Sequence, residues 1–300
     1  MGRLGYQSDA QAALNVSHNS LESYAASLDD ALTKPYPPYE AIGIMDQNGA
    51  YRQLAVSLLQ IENEFYSTIR PKRRIHPGER PLHALRERGV EYVEVRLMDL
   101  DPFCPIGITA PTMRSLDLLL LHCLHAKSPP DTPQEIQEIK RNQHRVASSG
   151  REPGLRLERL GREVALVDWG GEVLAACEPI AAAADAALGG AAYRDALAAA
   201  LASLRDSSKV PSARVMNAVQ RDHNGIYVRF VHAQSLLHAG SLRGLPFAED
   251  TAQFYHGLAR QSLAEQKRIE SADKLDFETY RRKYLAHDNL IIRGSSVPGR

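Results

Sequence analysis

The stretch Glu91-Tyr92-Val93-Glu94-Val95-Arg96-Leu97-Met98 alternates with the two-residue period of a β-strand. Tyr92, Glu94, Arg96 and Met98 fall on one face, and Val93, Val95 and Leu97 on the other. Glu94 and Arg96 then point the same way, about 7 Å apart at the backbone. Upstream, residues 54–66 read as a second strand, with Gln60, Glu62, Glu64 and Tyr66 alternating with Ile61, Asn63 and Phe65. Between the two lies Arg70-Pro71-Lys72-Arg73-Arg74, read as a basic loop.

Working outward, the pattern turns helical. Ser20 to Leu32 reads as a helix that Lys34-Pro35-Tyr36-Pro37-Pro38 ends, because proline lacks the N–H donor and restricts its neighbour. Leu116 to Ala126 reads as a buried helix, too short and too interrupted by Asp117, His122 and His125 to span a bilayer. Thr132-Pro133-Gln134-Glu135 has capping-box spacing with proline at the first helical position, and Gly150 marks the stop. Ala175 to Leu204 predicts two close-packed helices broken at Gly189-Gly190, since alanine is the best helix former. Further helices are expected at about 212–222, 226–239, 248–273 and 276–286. The chain is therefore expected to divide near residue 110, with strand-like and loop-like signals over 1–110, a helical region over 111–293, and a frayed tail at 294–300.

Composition narrows the function. In 300 residues, 44% are apolar, enough for a sizeable core, and 36 Lys plus Arg balance 36 Asp plus Glu. No net field favours nucleic acid or an anionic membrane. Cys104, Cys123 and Cys177 lack the spacing of a zinc site or disulfide framework, and the N-terminal residues lack signal- or transit-peptide character, so a cytoplasmic setting is expected. Phosphate loops of the Gly-rich Lys-Ser/Thr type, dinucleotide fingerprints and Gly-x-Ser-x-Gly elbows are absent.

Three groupings carry chemistry. Glu94 with Arg96, followed by Asp99 and Asp101, offers hard oxygen ligands and a fixed cation; an exposed strand with a same-face ion pair has the same spacing. Glu62 and Glu64 beside Gln60 and Tyr66 suit metal binding or proton transfer, as well as a solvated edge strand. Arg70 to Arg74 suits phosphate, although short basic loops are common. His122 and His125 share a helix face but lack a matching carboxylate or thiol, and read as packing histidines.

In order and spacing, several segments resemble the bacterial glutamate–cysteine ligases. They are Leu4-Gly5-Tyr6-Gln7-Ser8, Leu59 to Tyr66, Ile69-Arg70-Pro71-Lys72-Arg73, Gly89 to Arg96, and Asp101-Pro102-Phe103-Cys104-Pro105-Ile106-Gly107. Asn142 to Arg145 and Gly150 to Leu155 continue the match.

The resemblance implies an ATP- and Mg2+- (or Mn2+-) dependent ligase of glutathione biosynthesis. Its substrates would be L-glutamate, L-cysteine and ATP, with the γ-carboxylate phosphorylated and the cysteine amine attacking the acyl phosphate. It implies a curved antiparallel sheet forming a funnel like that of glutamine synthetase, hence an α+β class in which residues 1–110 are the remainder of the catalytic sheet region and bear active-site strands. By the same resemblance Glu94 matches a metal-binding glutamate, Arg96 a catalytic arginine contacting the nucleotide's phosphate, and Tyr6 and Tyr66 tyrosines that hold cysteine; Arg70, Lys72 and Arg73 receive no assigned contact. The family's remaining metal ligands lie upstream of this chain, which is expected to be the C-terminal part of the enzyme and inactive alone. A non-catalytic helical binding module derived from the family, and a nucleic-acid binder using Arg70 to Arg74, are the competing readings; no nucleic-acid or membrane partner is expected.

Overall fold

The computed structural model describes residues 10–11, 14–96 and 98–290. Eleven α-helices of the described residues alternate with two small antiparallel sheets, each of two strands, so the architecture is mixed and mainly helical. The described residues form two compact units, one taking those up to Arg96 together with those from Pro246 on, the other taking Met98–Leu245. This interleaved grouping differs from a single cut near residue 110.

The first unit is built on α1 (Leu21–Thr33), α2 (Pro37–Ile42), β1 (Ile69–Lys72), α3 (Pro81–Arg88), β2 (Tyr92–Val95), α10 (Glu249–Ala272) and α11 (Phe277–Leu285). Ser20 and Ser23 close a reciprocal capping box at the start of α1, satisfying N–H groups that the helix cannot. Tyr24, Ala25, Leu28, Ala31 and Leu32 recur at helical spacing and bury one face against Leu59, Leu82, Leu85 and Leu290. Burial pushes the Tyr24 phenol up to about 12.

Residues 54–66 are not a strand. The backbone runs irregularly into a single 3-10 turn at Glu62–Glu64, which turns Glu62 inward and leaves Glu64 partly exposed. The period-two pattern there is a coincidence of polar residues in a loop that must deliver one carboxylate to the core. The basic run is likewise not a loop throughout: Ile69–Lys72 is β1, antiparallel to β2 in the register Ile69↔Val95, Arg70↔Glu94, Pro71↔Val93 and Lys72↔Tyr92. Proline is tolerated because β1 is a four-residue edge strand in a two-stranded sheet.

The second unit packs α4 (Ala110–His125) against α6 (Leu166–Leu188) and α7 (Ala192–Arg205), with α5 (Pro133–Ser149), α8 (Pro211–Asp222) and α9 (Tyr227–Arg243) completing it. Leu118, Cys177, Ala181 and Leu197 form its core. Thr132 accepts from the Glu135 N–H and Gly150 caps the far end of α5, as the sequence predicts. Across the Gly189-Gly190 break, buried Asp185 accepts from the N–H groups of Tyr193 and Arg194 and so caps α7. The α4 expectation needs correction: only Leu118 of this helix is buried, and Leu124 is 77% exposed, because the helix contacts its neighbours along one narrow stripe.

A hairpin absent from the sequence reading, β3 (Arg156–Arg159) and β4 (Arg162–Ala165), follows α5. Asn142 clamps it: its amide donates to the Glu158 carbonyl at 2.7 Å and its oxygen accepts from the Glu158 N–H at 2.8 Å. Buried Glu138 accepts from the Gly161 N–H, and Arg141 and Arg145 pair with the Glu158 carboxylate.

Candidate active site

Antiparallel pairing puts directly opposite side chains on the same side of a sheet. Arg70 therefore shares a face with Glu94, and Lys72 with Tyr92. The Arg96 N–H donates to the Thr68 carbonyl at 2.7 Å, extending the pairing by one residue and keeping Arg96 on the Glu94 side. Tyr66, just before β1, completes the cluster: its ring centre lies 5.0 Å from the Arg96 guanidinium carbon and 5.5 Å from that of Arg70.

Within the cluster, Glu94 Oε2 faces Lys72 Nζ at 3.4 Å and Arg96 Nε at 3.9 Å. That oxygen is shielded from solvent and has no hydrogen-bond partner among the described residues. Arg70 is only 7% exposed; one of its Nη groups donates to the Asn63 carbonyl at 3.2 Å, while its Nε is buried without a hydrogen-bond partner among the described residues. Burial holds the Arg70 guanidinium below its usual pKa, and the like charge of Arg96 acts in the same direction. The face therefore sets three cations, Arg70, Lys72 and Arg96, against one carboxylate. Such an arrangement suits an oxyanion, and its single carboxylate could serve a divalent cation only alongside ligands from elsewhere.

Of the residues singled out in the sequence, Glu94, Arg96 and Tyr66 come together, and Tyr6 lies outside the described residues. Glu62 and Glu64 do not form a carboxylate pair. Glu62 is held by Arg80 through two oxygens, with Arg80 Nη2 at 2.7 Å from Oε2, whereas Glu64 accepts from the Gln60 N–H. The remaining arginines of the basic run lie apart from the cluster: Arg73 donates to the Arg88 carbonyl, and Arg74 is exposed with its backbone N–H donating to Glu91. The sequence pointed to Arg70 only as one of four basic residues, and nothing in its spacing marked it as the buried one.

Glu79, His83 and Glu87 also bring potential ligand atoms within 4.8 Å of one another. Arg88 donates to both Glu79 oxygens, at 2.8 and 2.7 Å, and to Glu87 at 3.1 Å, so a guanidinium already pairs with both carboxylates of this cluster. It reads as an ion-pair network at the end of α3. No helix of the described residues is long and apolar enough to cross a membrane.

Comparison with known proteins bears on this geometry. The glutamate-cysteine ligase family profile matches residues 1–146. The chain is 45% identical over 288 residues to the glutamate–cysteine ligase of Bordetella parapertussis, covering 95% of this chain and 54% of the relative. To that of Azotobacter vinelandii it is 44% identical over 286 residues, with the same coverage of 95% and 54%. A crystal structure of glutamate–cysteine ligase from Francisella tularensis in complex with AMP superposes with a TM-score of 0.86 at 31% identity, covering 94% of this chain and 55% of that one. The chain belongs to the glutamate–cysteine ligase family, and it spans about half the length of the curated relatives it matches.

Proposed function

We propose that this chain contributes part of the active site of an ATP-dependent ligase that joins the γ-carboxylate of L-glutamate to the amine of L-cysteine, the first step of glutathione biosynthesis. The observation that carries the reading is the convergence of Glu94, Arg96 and Tyr66 on one face of the β1–β2 ribbon. Arg96 is assigned to the phosphoryl group in transfer, where a fixed guanidinium stabilises charge that grows in the transition state. Tyr66, with Tyr6, is assigned to the cysteine substrate, for which a ring and a phenolic hydroxyl give both packing and hydrogen bonding. The ribbon would be a fragment of the curved antiparallel funnel of the glutamine synthetase type.

Glu94 is assigned to magnesium. Its solvent-shielded Oε2 makes no hydrogen bond among the described residues and meets Lys72 and Arg96 only through long ion pairs, so it would suit a hard cation that neutralises the phosphates of the nucleotide. One carboxylate among three cations cannot hold such an ion by itself, so the remaining ligands belong to the portion of the relatives' length that this chain does not span. The chain is accordingly proposed to be inactive alone. The test is ATP- and cysteine-dependent formation of γ-glutamylcysteine by the chain joined to the N-terminal part of a relative. A folded joined enzyme that forms no dipeptide would overturn the reading, and so would unchanged turnover after Arg96→Ala.

A further inference from the structure

We infer that Arg70 is a ligand-binding residue, the buried member of an oxyanion cradle that it forms with Arg96 and Lys72 and that takes a phosphoryl-type group. The inference deepens the ligase reading and rests on it for the source of that group; the cradle itself is argued from geometry.

A guanidinium buried to within 7% of full enclosure is costly unless its five donors find acceptors. Arg70 meets this requirement incompletely. One Nη reaches the Asn63 carbonyl, the guanidinium lies against the Tyr66 ring, and Nε has no acceptor among the described residues. A second guanidinium, Arg96, approaches the same ring and repels the first, and Lys72 adds a third positive charge two residues along β1. The one carboxylate on this face, Glu94, lies directly opposite Arg70 but ion-pairs with Lys72 and Arg96. Core packing does not ask for this arrangement, since an apolar side chain would fill the position without the repulsion or the unmet donor.

An anion resolves both defects together. It accepts from Nε and neutralises the surplus of two positive charges. A carboxylate carries one negative charge and leaves the face positive, whereas a phosphoryl group carries two and has tetrahedral oxygens for more than one donor. The charge balance therefore selects phosphoryl over carboxylate. The fork of Nε and its neighbouring Nη is the feature that lysine cannot reproduce.

The experiment is isothermal titration of the chain at low ionic strength with sodium tripolyphosphate, inorganic phosphate and L-glutamate as separate probes. Tripolyphosphate is expected to bind, L-glutamate not measurably, and Arg70→Lys to weaken tripolyphosphate by at least about ten-fold while leaving the thermal unfolding midpoint unchanged. Arg74→Ala, which removes an exposed charge from the same run, is expected to change affinity by less than about two-fold. Should Arg70→Lys not fold, Lys72→Gln carries the test, with a loss of about three-fold expected. The proposal is overturned if the unsubstituted chain does not bind tripolyphosphate, or if Arg70→Lys binds as well as the parent. It is also overturned if Arg74→Ala loses as much as Arg70→Lys, or if L-glutamate is the probe that Arg70→Lys affects. Dipeptide formation by the joined enzyme together with intact binding in Arg70→Lys would remove the cradle and leave the ligase; Arg70-dependent binding without dipeptide formation would do the reverse.

Discussion

Glu62 and Arg80 form a buried, two-oxygen ion pair, with side chains only 6% and 2% exposed, and this pair organises the first unit. Glu62 Oε1 also accepts from the Leu82 N–H at the start of α3, and Arg80 donates to the Tyr284 carbonyl while stacking 5.1 Å from the Tyr284 ring centre. One side-chain pair thus ties the 3-10 turn before β1, the start of α3 and α11 together. Removing one partner strands a buried charge, for which the typical cost is about 3–5 kcal/mol. Glu62→Leu and Arg80→Met are each expected to destabilise by that order in urea unfolding, and the double substitution to recover most of the loss. Additive losses would show that the two side chains act separately.

A different arginine sets an acid-sensitive contact. Hydrogen bonds from Arg88 chiefly hold the Glu79 carboxyl down, to about 2 from an ordinary value of 4.5. A folded-state value below the unfolded one means that the contribution is fully present above about 4.5 and is lost as the pH falls toward 2. Glu79→Gln should therefore be less stable than the parent at neutral pH, and the two should converge between pH 4.5 and 2. Parallel stability curves across that window would exclude the linkage.

Asn142 belongs to a segment that resembles the family, yet its role is structural. It exchanges two hydrogen bonds with the backbone of Glu158, and it is 8% exposed. Asn142→Ala leaves both backbone groups of the β3 edge without their partner, a loss of about 1–3 kcal/mol. Urea unfolding measures it, and amide exchange at Glu158 should rise in the variant. Unaltered exchange would place the hairpin's support elsewhere.

These cases show what the sequence makes legible. β2 is readable because its valines and polar residues alternate without interruption, and the helices because caps such as Thr132 and breaks such as Gly189-Gly190 are local signals. The β3–β4 hairpin is not, because its two-residue turn places Leu160 at φ 51° and Gly161 at φ 75°; leucine at the first position hides a turn that Asn-Gly or Asp-Gly would announce. Residues 54–66 mislead for the opposite reason, since alternating polarity appears in a loop whose Glu62 pairs with an arginine 18 positions away. Arg70 is hidden by Pro71, which makes β1 look like a loop. Long-range ion pairing and edge-strand proline leave no periodic mark.

The proposed assignment of Tyr66 to the cysteine substrate gives a kinetic expectation. The ring is fixed by two guanidinium groups, so Tyr66→Phe keeps the packing and removes only the hydroxyl. In the joined enzyme the Michaelis constant for cysteine should rise by about ten-fold, the scale of one lost hydrogen bond, with that for ATP little changed. Equal effects on both would count against the assignment.

The last expectation concerns the chain by itself. Helix α10 runs for 24 residues without one buried side chain, and Phe254, Tyr255, Leu258 and Ile269 fall within an arc of about 100° on it. An amphipathic helix left uncovered along an aromatic face is an association surface. The matched relatives extend over nearly twice this chain's length, and further polypeptide of that kind is the proposed cover for this face. The isolated chain should therefore form no γ-glutamylcysteine, should bind an apolar dye, and should self-associate as its concentration rises. Joining it to the N-terminal part of a relative should lower dye binding, slow amide exchange along α10 and restore turnover together, because the same added segment is proposed both to cover the helix and to complete the magnesium ligands. Robust turnover by the isolated chain would refute the proposal that its active site is incomplete. Restored turnover with α10 still exchanging freely would separate the two effects and assign that helix to a different partner.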